Sequence, residues 1–284
     1  MSERAGDFIL RRILVALDAS THSLAAVEAA ADIAAAMQAA MDGLFVEDIN
    51  LIRLASLPFA REIRHTTTVA ALDLEQMERA LKAQAAEARK ALEAAAKRAR
   101  VQWSFRVARG RVAHEVLAAA ATADLLTLGK LGRSRHPQAR LGSTALRVLS
   151  GAPIALLLVE KWQARARGLR PVLVVYDGSE GASRALKAAA SLAEAGGVSL
   201  TAVLLADNHD AIHDLKKAAA HSLEGRSIEV RWEALASTEG HSLLRVIQSD
   251  DAAFLVFSLS SPRLPEATIA KLLDHIRNPV LLIR

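Results

Sequence analysis

The chain has 284 residues, enough for one large domain or two of ordinary size, and its hydrophobic share of 52% can form a substantial core. It has no cysteine, which excludes disulfides, thiol catalysis and cysteine-bound metals. The first residues lack the architecture of a signal peptide, and nothing approaches the roughly 18 consecutive apolar residues of a transmembrane helix, so we expect a cytoplasmic protein without a membrane partner.

The net charge of +5 comes largely from scattered arginines. A basic excess permits contact with nucleic acid. However, the chain has only one Tyr, three Trp and six Phe for base stacking, and it has no nucleic-acid-binding motif. We therefore interpret the basic residues as solvated surface and predict no nucleic-acid partner.

Short apolar runs alternate with alanine-rich stretches along the whole chain. ILVAL, DLLTLG and IALLLV are continuously apolar, as strands in the middle of a parallel sheet must be. VQWSFRV alternates apolar and polar residues, which is typical of a strand with one exposed face. SLAAVEAAADIAAAM, capped by Ser20 or Ser23, and HEVLAAAATA indicate helices between the strands.

A long amphipathic helix is predicted over about 70–100, with an apolar stripe that includes Leu74, Met77, Leu81, Ala88 and Leu92. Our interpretation is a helix that covers the sheet. The alternative is that the 49–100 segment provides a protruding surface for a protein partner.

The second half of the chain repeats the first. Asp18 and Asp177 both end a strand-like run, and Asp48 and Asp207 both end the next. The 31 residues from the first to the second aspartate of each half align without a gap. IEVRWEA, AFLVFS and PVLLI then continue the pattern in the second half.

Strand–helix alternation implies right-handed βαβ units and a sheet covered on both faces. We therefore predict two doubly wound, Rossmann-like domains in tandem, each with a five-stranded parallel sheet. Residues 1–160 form the first domain, the charged segment 161–170 is a linker, and 171–284 form the second domain. Within the linker, Trp162 either lies in solvent or docks on a domain face.

The most informative motif follows the fourth strand of the first domain, where Gly129, Gly132, Gly142 and Ser143 are spaced as G-x2-G-x9-G-S. Glycines let backbone N–H groups approach an anion closely, and Gly142-Ser143-Thr144 opens a helix whose free N–H groups attract phosphate. The spacing is neither Walker A nor the Rossmann fingerprint. The alternative is a set of turn glycines before a capped helix.

The strand–Asp–helix layout combined with this motif resembles the universal stress protein family. The first half matches in full, and the second matches in its strands and Asp177 but not in the glycine motif. The resemblance implies a five-stranded parallel sheet with a switch point between its first and fourth strands, where ATP-binding members hold the nucleotide. This agrees with the rule that ligands bind at the carboxyl ends of open α/β strands.

The resemblance also implies a role for each matching residue. Asp18 would accept hydrogen bonds from the ribose hydroxyls, Val46 would contact adenine, and Ala16 would lie beneath the nucleotide. Gly129 would let the ribose lie close. Four residues would hold the phosphates, together with the Mg²⁺ that normally accompanies ATP: Gly132, Gly142, Ser143 and Thr144. The cations in the intervening loop, Arg133, Arg135, His136 and Arg140, are either phosphate contacts or solvated charges.

The second half reads FSLSSPRLPEATIAKLL where the motif should be. Ser258 and Ser261 replace glycines, prolines remove donors, and Glu266 would repel phosphate. We therefore predict that the second site is empty or occluded.

Two functional hypotheses remain open. In the first, the protein is an ATP-binding stress-response or signalling module with little or no turnover. In the second, it is a structural or adaptor protein that acts through its helical surface. A third idea is slow ATP hydrolysis or phosphorylation on Ser143. No set of catalytic residues supports it, because His114 and His241 are interpreted as residues at helix starts.

Family resemblance also implies pairing through the last strand of each domain, LLLVE with LLIR, as an intramolecular pseudo-dimer that could itself dimerise.

Overall fold

The computed structural model describes residues 8–57, 61–63, 69–71, 73–131, 141–162, 171–236, 240–249 and 254–284. The strands are β1 (Arg12–Leu17), β2 (Ala40–Asp48), β3 (Arg61–Ile63), β4 (Val69–Ala71), β5 (Trp103–Gly110), β6 (Leu125–Gly129), β7 (Ala155–Val159), β8 (Val172–Tyr176), β9 (Leu200–Leu205), β10 (Val230–Leu235), β11 (Phe254–Ser258) and β12 (Val280–Ile283). The helices are α1 (Thr21–Met37), α2 (Ile49–Ala55), α3 (Leu74–Ala99), α4 (Val112–Ala120), α5 (Ser143–Gly151), α6 (Glu180–Gly196), α7 (His209–Ser222), α8 (Gly240–Ser249) and α9 (Glu266–Leu273).

Ten of these strands form one sheet in the order β10-β9-β8-β11-β12-β7-β6-β1-β2-β5, while β3 and β4 form a separate antiparallel pair. Five strands come from the first half of the chain, up to residue 160, and five from the second half, from residue 171. Within each half the first strand lies between the second and the fourth, and all pairs are parallel. The predicted doubly wound α/β fold is confirmed.

The two halves join through their last strands. β7 and β12 are antiparallel, with Leu157 opposite Leu281 and Leu156 opposite Leu282. The predicted pairing of these two strands within one chain is therefore seen in the structure. Because all four side chains are buried, this junction is part of the core rather than a surface contact.

Helices cover both faces of the sheet. One face packs against α1, α3, α6 and α7, and the other against α4, α5, α8 and α9. Alternate residues of each strand enter the two cores, as the period-two geometry of a strand requires. In β6, for example, Leu125 belongs to one core and Leu126 to the other.

The ends of α1 and α3 follow from local chemistry. The Ser20 hydroxyl caps α1 by accepting from the Ser23 N–H, and Asp73 caps α3 by accepting from the Glu75 N–H. The long helix is a single element without a break. It buries Leu81, Ala85, Ala88, Leu92, Ala95 and Ala96, which confirms a helix that covers the sheet, but its first residue, Leu74, is 37% exposed.

Trp162 docks across the two halves. Its indole Nε1 donates to Asp32 Oδ2 of α1 at 2.8 Å, and its ring meets Phe254 of β11 edge-on, with 6.5 Å between ring centroids. Residues 163–170, the remainder of the predicted linker, lie outside the described residues. None of the described helices combines the length and apolar character needed to cross a membrane.

Candidate functional site

The predicted site residues follow strands that are neighbours in the sheet. Ala16 of β1 is paired with Leu44 of β2 on one side and with Leu128 of β6 on the other. Asp18 comes directly after β1, and Gly129 ends β6. These carboxyl ends therefore meet at the switch point between the first and fourth strands, where open α/β sheets bind ligands.

Asp18 shapes the turn into α1. Its Oδ1 accepts a hydrogen bond from the Ser20 N–H at 3.0 Å, and its side chain is half-buried. Between them, Ala19 has φ of 55°, in the left-handed region that costs an alanine about 1 kcal/mol or more. The equivalent residue in the second half is Gly178, with φ of 81°. The first half thus holds a strained residue beside its carboxylate.

Gly129 lies against the start of α1. A Cβ atom built on it would be 2.9 Å from the His22 carbonyl carbon and 3.0 Å from the Ser23 nitrogen. These are main-chain atoms, so they cannot rotate away. Close packing of strand and helix therefore requires glycine here, a reason that the sequence pattern did not reveal.

Gly142 is the N-cap of α5, and it forms no side-chain cap. Its φ of −66° is open to any residue, so its distinguishing property is the missing side chain. The Gly142 N–H donates to the Lys130 carbonyl at 2.9 Å. The N–H groups of the first turn, including those of Ser143 and Thr144, have no partner within the helix and carry its positive end.

A cleft of about 520 Å³ opens beside this helix start. The starts of α2, α4 and α5 line it. The lining residues are Asp48, Asn50, Arg111, Val112, Ala113, His114, Ser143, Thr144 and Arg147. Its cationic side chains, Arg111 and Arg147, are exposed and lie in the same lining as Ser143 and Thr144, at the start of α5.

Ala16 and Val46 pack on the face of the sheet that α4 and α5 cover, as do the lining residue Val112 and the buried Leu128. Val46 is 9% exposed, so it is nearly covered. The structure therefore brings Ala16 and Val46 to the side of the sheet on which the cleft opens.

Of the predicted site residues, Ser143 and Thr144 line the cleft. Ala16, Asp18, Val46 and Gly129 lie at or near the carboxyl ends of neighbouring strands and are not part of its lining. Gly132 lies outside the described residues, together with the loop cations Arg133, Arg135, His136 and Arg140. Asn50, Arg111 and Arg147 line the cleft but were missed. Only Arg147 had a signal in the sequence. It lies four residues after Ser143 on the predicted helix, and residues four apart share one helix face. His114 lies exposed in the first turn of α4, as predicted, while the side chain of His241 is not described.

In the second half, the aspartate equivalent to Asp18 accepts hydrogen bonds from two serine side chains of the same half. Asp177 Oδ1 accepts from the Ser179 hydroxyl, and Oδ2 accepts from the Ser261 hydroxyl, each at 2.6 Å. Burial alone would raise the pKa of Asp177, but the hydrogen bonds from Ser179 and Ser261 outweigh it and hold this pKa below its ordinary value.

Arg263, two residues after Ser261, pairs with Asp207, which lies just after β9. Its guanidinium donates to both carboxylate oxygens of Asp207, at 2.6 and 2.7 Å. Two parallel hydrogen bonds make this the strongest geometry of an arginine–carboxylate ion pair. Both side chains are partly exposed to solvent, which weakens the pair. Within the described part of the chain, no group of three or more His, Asp or Glu side chains could hold a metal ion.

Comparison with known proteins places these features in one family. Residues 10–160 match the model of the universal stress protein family. No protein of curated function matches the sequence significantly.

Solved structures share the fold across nearly the whole chain. A universal stress protein from Archaeoglobus fulgidus DSM 4304 is 19% identical, with a TM-score of 0.70 and coverage of 97% of each chain. A functionally unknown protein from Pseudomonas aeruginosa PAO1 is 17% identical, with a TM-score of 0.57, and the match covers 96% of this chain and 92% of that one. The cytoplasmic domain of a prokaryotic cation chloride cotransporter is 14% identical, with a TM-score of 0.54 and coverage of 96% and 95%.

Proposed function

Because this chain belongs to the universal stress protein family, we propose that it is a nucleotide-binding stress-response module that holds one ATP, with Mg²⁺, in its first half. The nucleotide acts as a signal that sets conformation or partner choice, with little or no turnover. The fold alone does not carry this conclusion, since the same fold serves as part of a cotransporter.

The observation that carries the proposal is the uncapped start of α5 facing the cleft. Gly142 leaves the helix start without a side chain, and Ser143 and Thr144 add hydroxyl donors to the first-turn N–H groups, which have no partner within the helix. A polyphosphate matches such a site through both the hydrogen bonds and the helix dipole. Arg111 and Arg147 on the cleft walls add charge suited to the far end of a phosphate chain.

The nucleoside end fits the other side of the switch point. Asp18 retains acceptor capacity for ribose hydroxyls, because Oδ2 is not needed for its bond to the Ser20 N–H. Ala16 and Val46 offer a small apolar surface for adenine. Gly132 is proposed to complete the phosphate contacts. The Mg²⁺ would be held mainly by the phosphates and water, as is usual for this ion.

The second half supports a stoichiometry of one nucleotide per chain. There the carboxylate equivalent to Asp18 already accepts bonds from Ser179 and Ser261, and Arg263 is paired with Asp207. A ribose would have to replace internal hydrogen bonds with equivalent ones. That exchange yields little net free energy.

The test is native mass spectrometry and titration calorimetry of the whole chain with Mg-ATP. Wild type should bind one nucleotide. Gly142→Val should abolish binding because its side chain occupies the phosphate position, whereas Gly151→Val, at the opposite end of α5, should bind normally. Asp18→Ala should weaken binding by about 1–3 kcal/mol, the cost of leaving polar partners unsatisfied. Unchanged affinity in Gly142→Val would refute the phosphate assignment, and two equivalent sites would refute the stoichiometry.

A second candidate function rests on exposed leucines. Leu51, Leu54 and Leu57 in and after α2 are 41%, 49% and 41% exposed, and Leu74 at the start of α3 lies in the same part of the chain. Such residues favour an adaptor that docks a protein partner. If this is the function, Leu51→Asp combined with Leu54→Asp will abolish partner capture while Gly142→Val leaves it intact. If ATP controls the partner, both variants will lose ATP-dependent capture.

A further inference from the structure

Lys130 lies inside the glycine motif, yet its side chain serves the other half of the protein. Only 3% of this side chain is exposed. Its Nζ donates to Glu160 Oε2 at 3.1 Å, and it also donates to the carbonyl of Ile276, which follows α9 in the second half. A lysine ammonium is almost never buried unless it is paired in this way.

The main chain of Lys130 holds the proposed phosphate site. Its N–H donates to the Val159 carbonyl at 2.8 Å, and its carbonyl accepts from the Gly142 N–H at 2.9 Å. One residue therefore fixes the start of α5 through its backbone and the second half through its side chain. A displacement of Gly142 acts directly on the peptide that carries the buried ammonium.

Glu160 extends this connection on both sides of Lys130. Its Oε1 lies 3.9 Å from Arg277 Nε in the second half. Its carbonyl accepts a 2.8 Å bond from His22 Nδ1, and His22 packs on Gly129. The chain of contacts thus runs from both described motif glycines to residues 276 and 277.

The strand order explains why these groups meet. Lys130 follows β6 and Glu160 follows β7, and these strands are parallel neighbours. Since β12 is antiparallel to β7, the turn from α9 into β12 lies at the same edge of the sheet. The carboxyl edge of the first half, where the cleft opens, is therefore in contact with the second half.

We propose that Lys130 is a positioning residue that couples nucleotide binding in the first half to the 274–280 segment of the second half. Nucleotide bound at Gly142 and Ser143 holds the Lys130 peptide in place, and the buried ammonium transmits this restraint to Ile276. Thermodynamic linkage makes this coupling reciprocal. The factor by which bound nucleotide stabilises the ordered 274–280 segment equals the factor by which ordering of that segment strengthens nucleotide binding. This inference rests on the proposed function.

The test uses the full chain as wild type, Lys130→Met and Lys161→Met. Methionine keeps an apolar stem of similar length and removes the charge, while exposed Lys161 loses the same charge next to Glu160. We expect Lys130→Met to weaken Mg-ATP binding about tenfold, within the usual range of coupling between sites, and Lys161→Met to leave it unchanged.

Amide hydrogen exchange separates coupling from a loss of fold. In wild type, saturating Mg-ATP should slow exchange in the 274–280 segment and leave β9, on the far side of the second half, unaffected. Lys130→Met at saturating ATP should lose this effect. If Lys130→Met does not fold, Glu160→Gln, which keeps an acceptor oxygen but removes the charge, takes its place.

The outcomes distinguish the two proposals. Wild-type protein that binds no ATP refutes the proposed function and the coupling together. Wild-type protein that binds ATP, with Lys130→Met equal to it in affinity and in 274–280 exchange, refutes the coupling alone. Weaker binding with the exchange effect retained also overturns it, because the residue would then only support the fold.

Discussion

Gly129→Ala should destabilise the protein although it adds a single methyl group. The new Cβ would be 2.9 Å from the His22 carbonyl carbon and 3.0 Å from the Ser23 nitrogen, where about 3.5–4.0 Å is comfortable. The start of α1 must therefore move outward by about half an ångström or more. Overpacking of this kind costs about 1–3 kcal/mol. We expect a loss of about 2 kcal/mol in the free energy of unfolding, and weaker ATP binding because the turn at Asp18 moves with α1.

The assay is urea unfolding followed by circular dichroism, with Gly151→Ala as the control. There the new Cβ would meet Leu117 Cδ1 at 3.2 Å, the end of a flexible side chain. Because Gly151 ends α5, alanine also gains helix propensity, up to about 1 kcal/mol. The same chemical change should thus lower the urea midpoint at Gly129 and leave it equal or higher at Gly151. Equal midpoints for the two variants would refute the packing argument.

Three further predictions concern the strands and turns around the two sites. Thr127→Val should raise the free energy of unfolding by about 1 kcal/mol in urea titrations, because the buried Thr127 hydroxyl finds no partner among the described residues. Ala19→Gly should raise it by about 0.5–1 kcal/mol in the same assay, since glycine relieves the φ of 55°. Ser261→Ala should destabilise the protein at pH 7 and progressively less as the pH falls through the folded-state pKa of Asp177. The Ser261 hydroxyl helps to hold that pKa below its ordinary value, so the stability it supplies exists above the unfolded-state pKa and is lost in acid; urea midpoints at pH 7 and pH 3 that shift by the same amount would contradict this reasoning.

The parts of the fold that repeat were predictable from sequence. The apolar runs located the ten strands of the main sheet, and the gapless match from Asp18 to Asp48 paired the two halves. The pairing of β7 with β12 followed from a resemblance rather than from the residues themselves. The insertion after β2 was predictable only as a long helix, because α2, β3 and β4 are short elements without a counterpart in the second half.

The candidate site was predictable in its strand ends and helix start but not in its side-chain partners. Asp18 and Gly142 have positions set by local order along the chain. Lys130 and Arg263, by contrast, find partners 30 or more residues away, at Glu160 and Asp207. The spacing of apolar and polar residues along the chain does not predict such contacts, because they depend on the order of the strands in the sheet.

Asp18 and Asp177 show how one framework residue can serve two purposes. Both follow the first strand of their half, and both accept a bond from a main-chain N–H two residues later. At Asp177 the motif residue Ser261 donates to the second oxygen at 2.6 Å. The residues of the first half that match Ser258 and Ser261 in sequence are Gly129 and Gly132, and neither carries a hydroxyl. A carboxylate that the chain itself saturates stabilises the fold. One whose second oxygen has no hydrogen bond within the described part of the chain, near an uncapped helix start, is suited to a ligand. The difference between the halves therefore lies in the motif rather than in the aspartate. Gly132→Ser, which puts the residue type of Ser261 at its matching position, should weaken ATP binding in titration calorimetry.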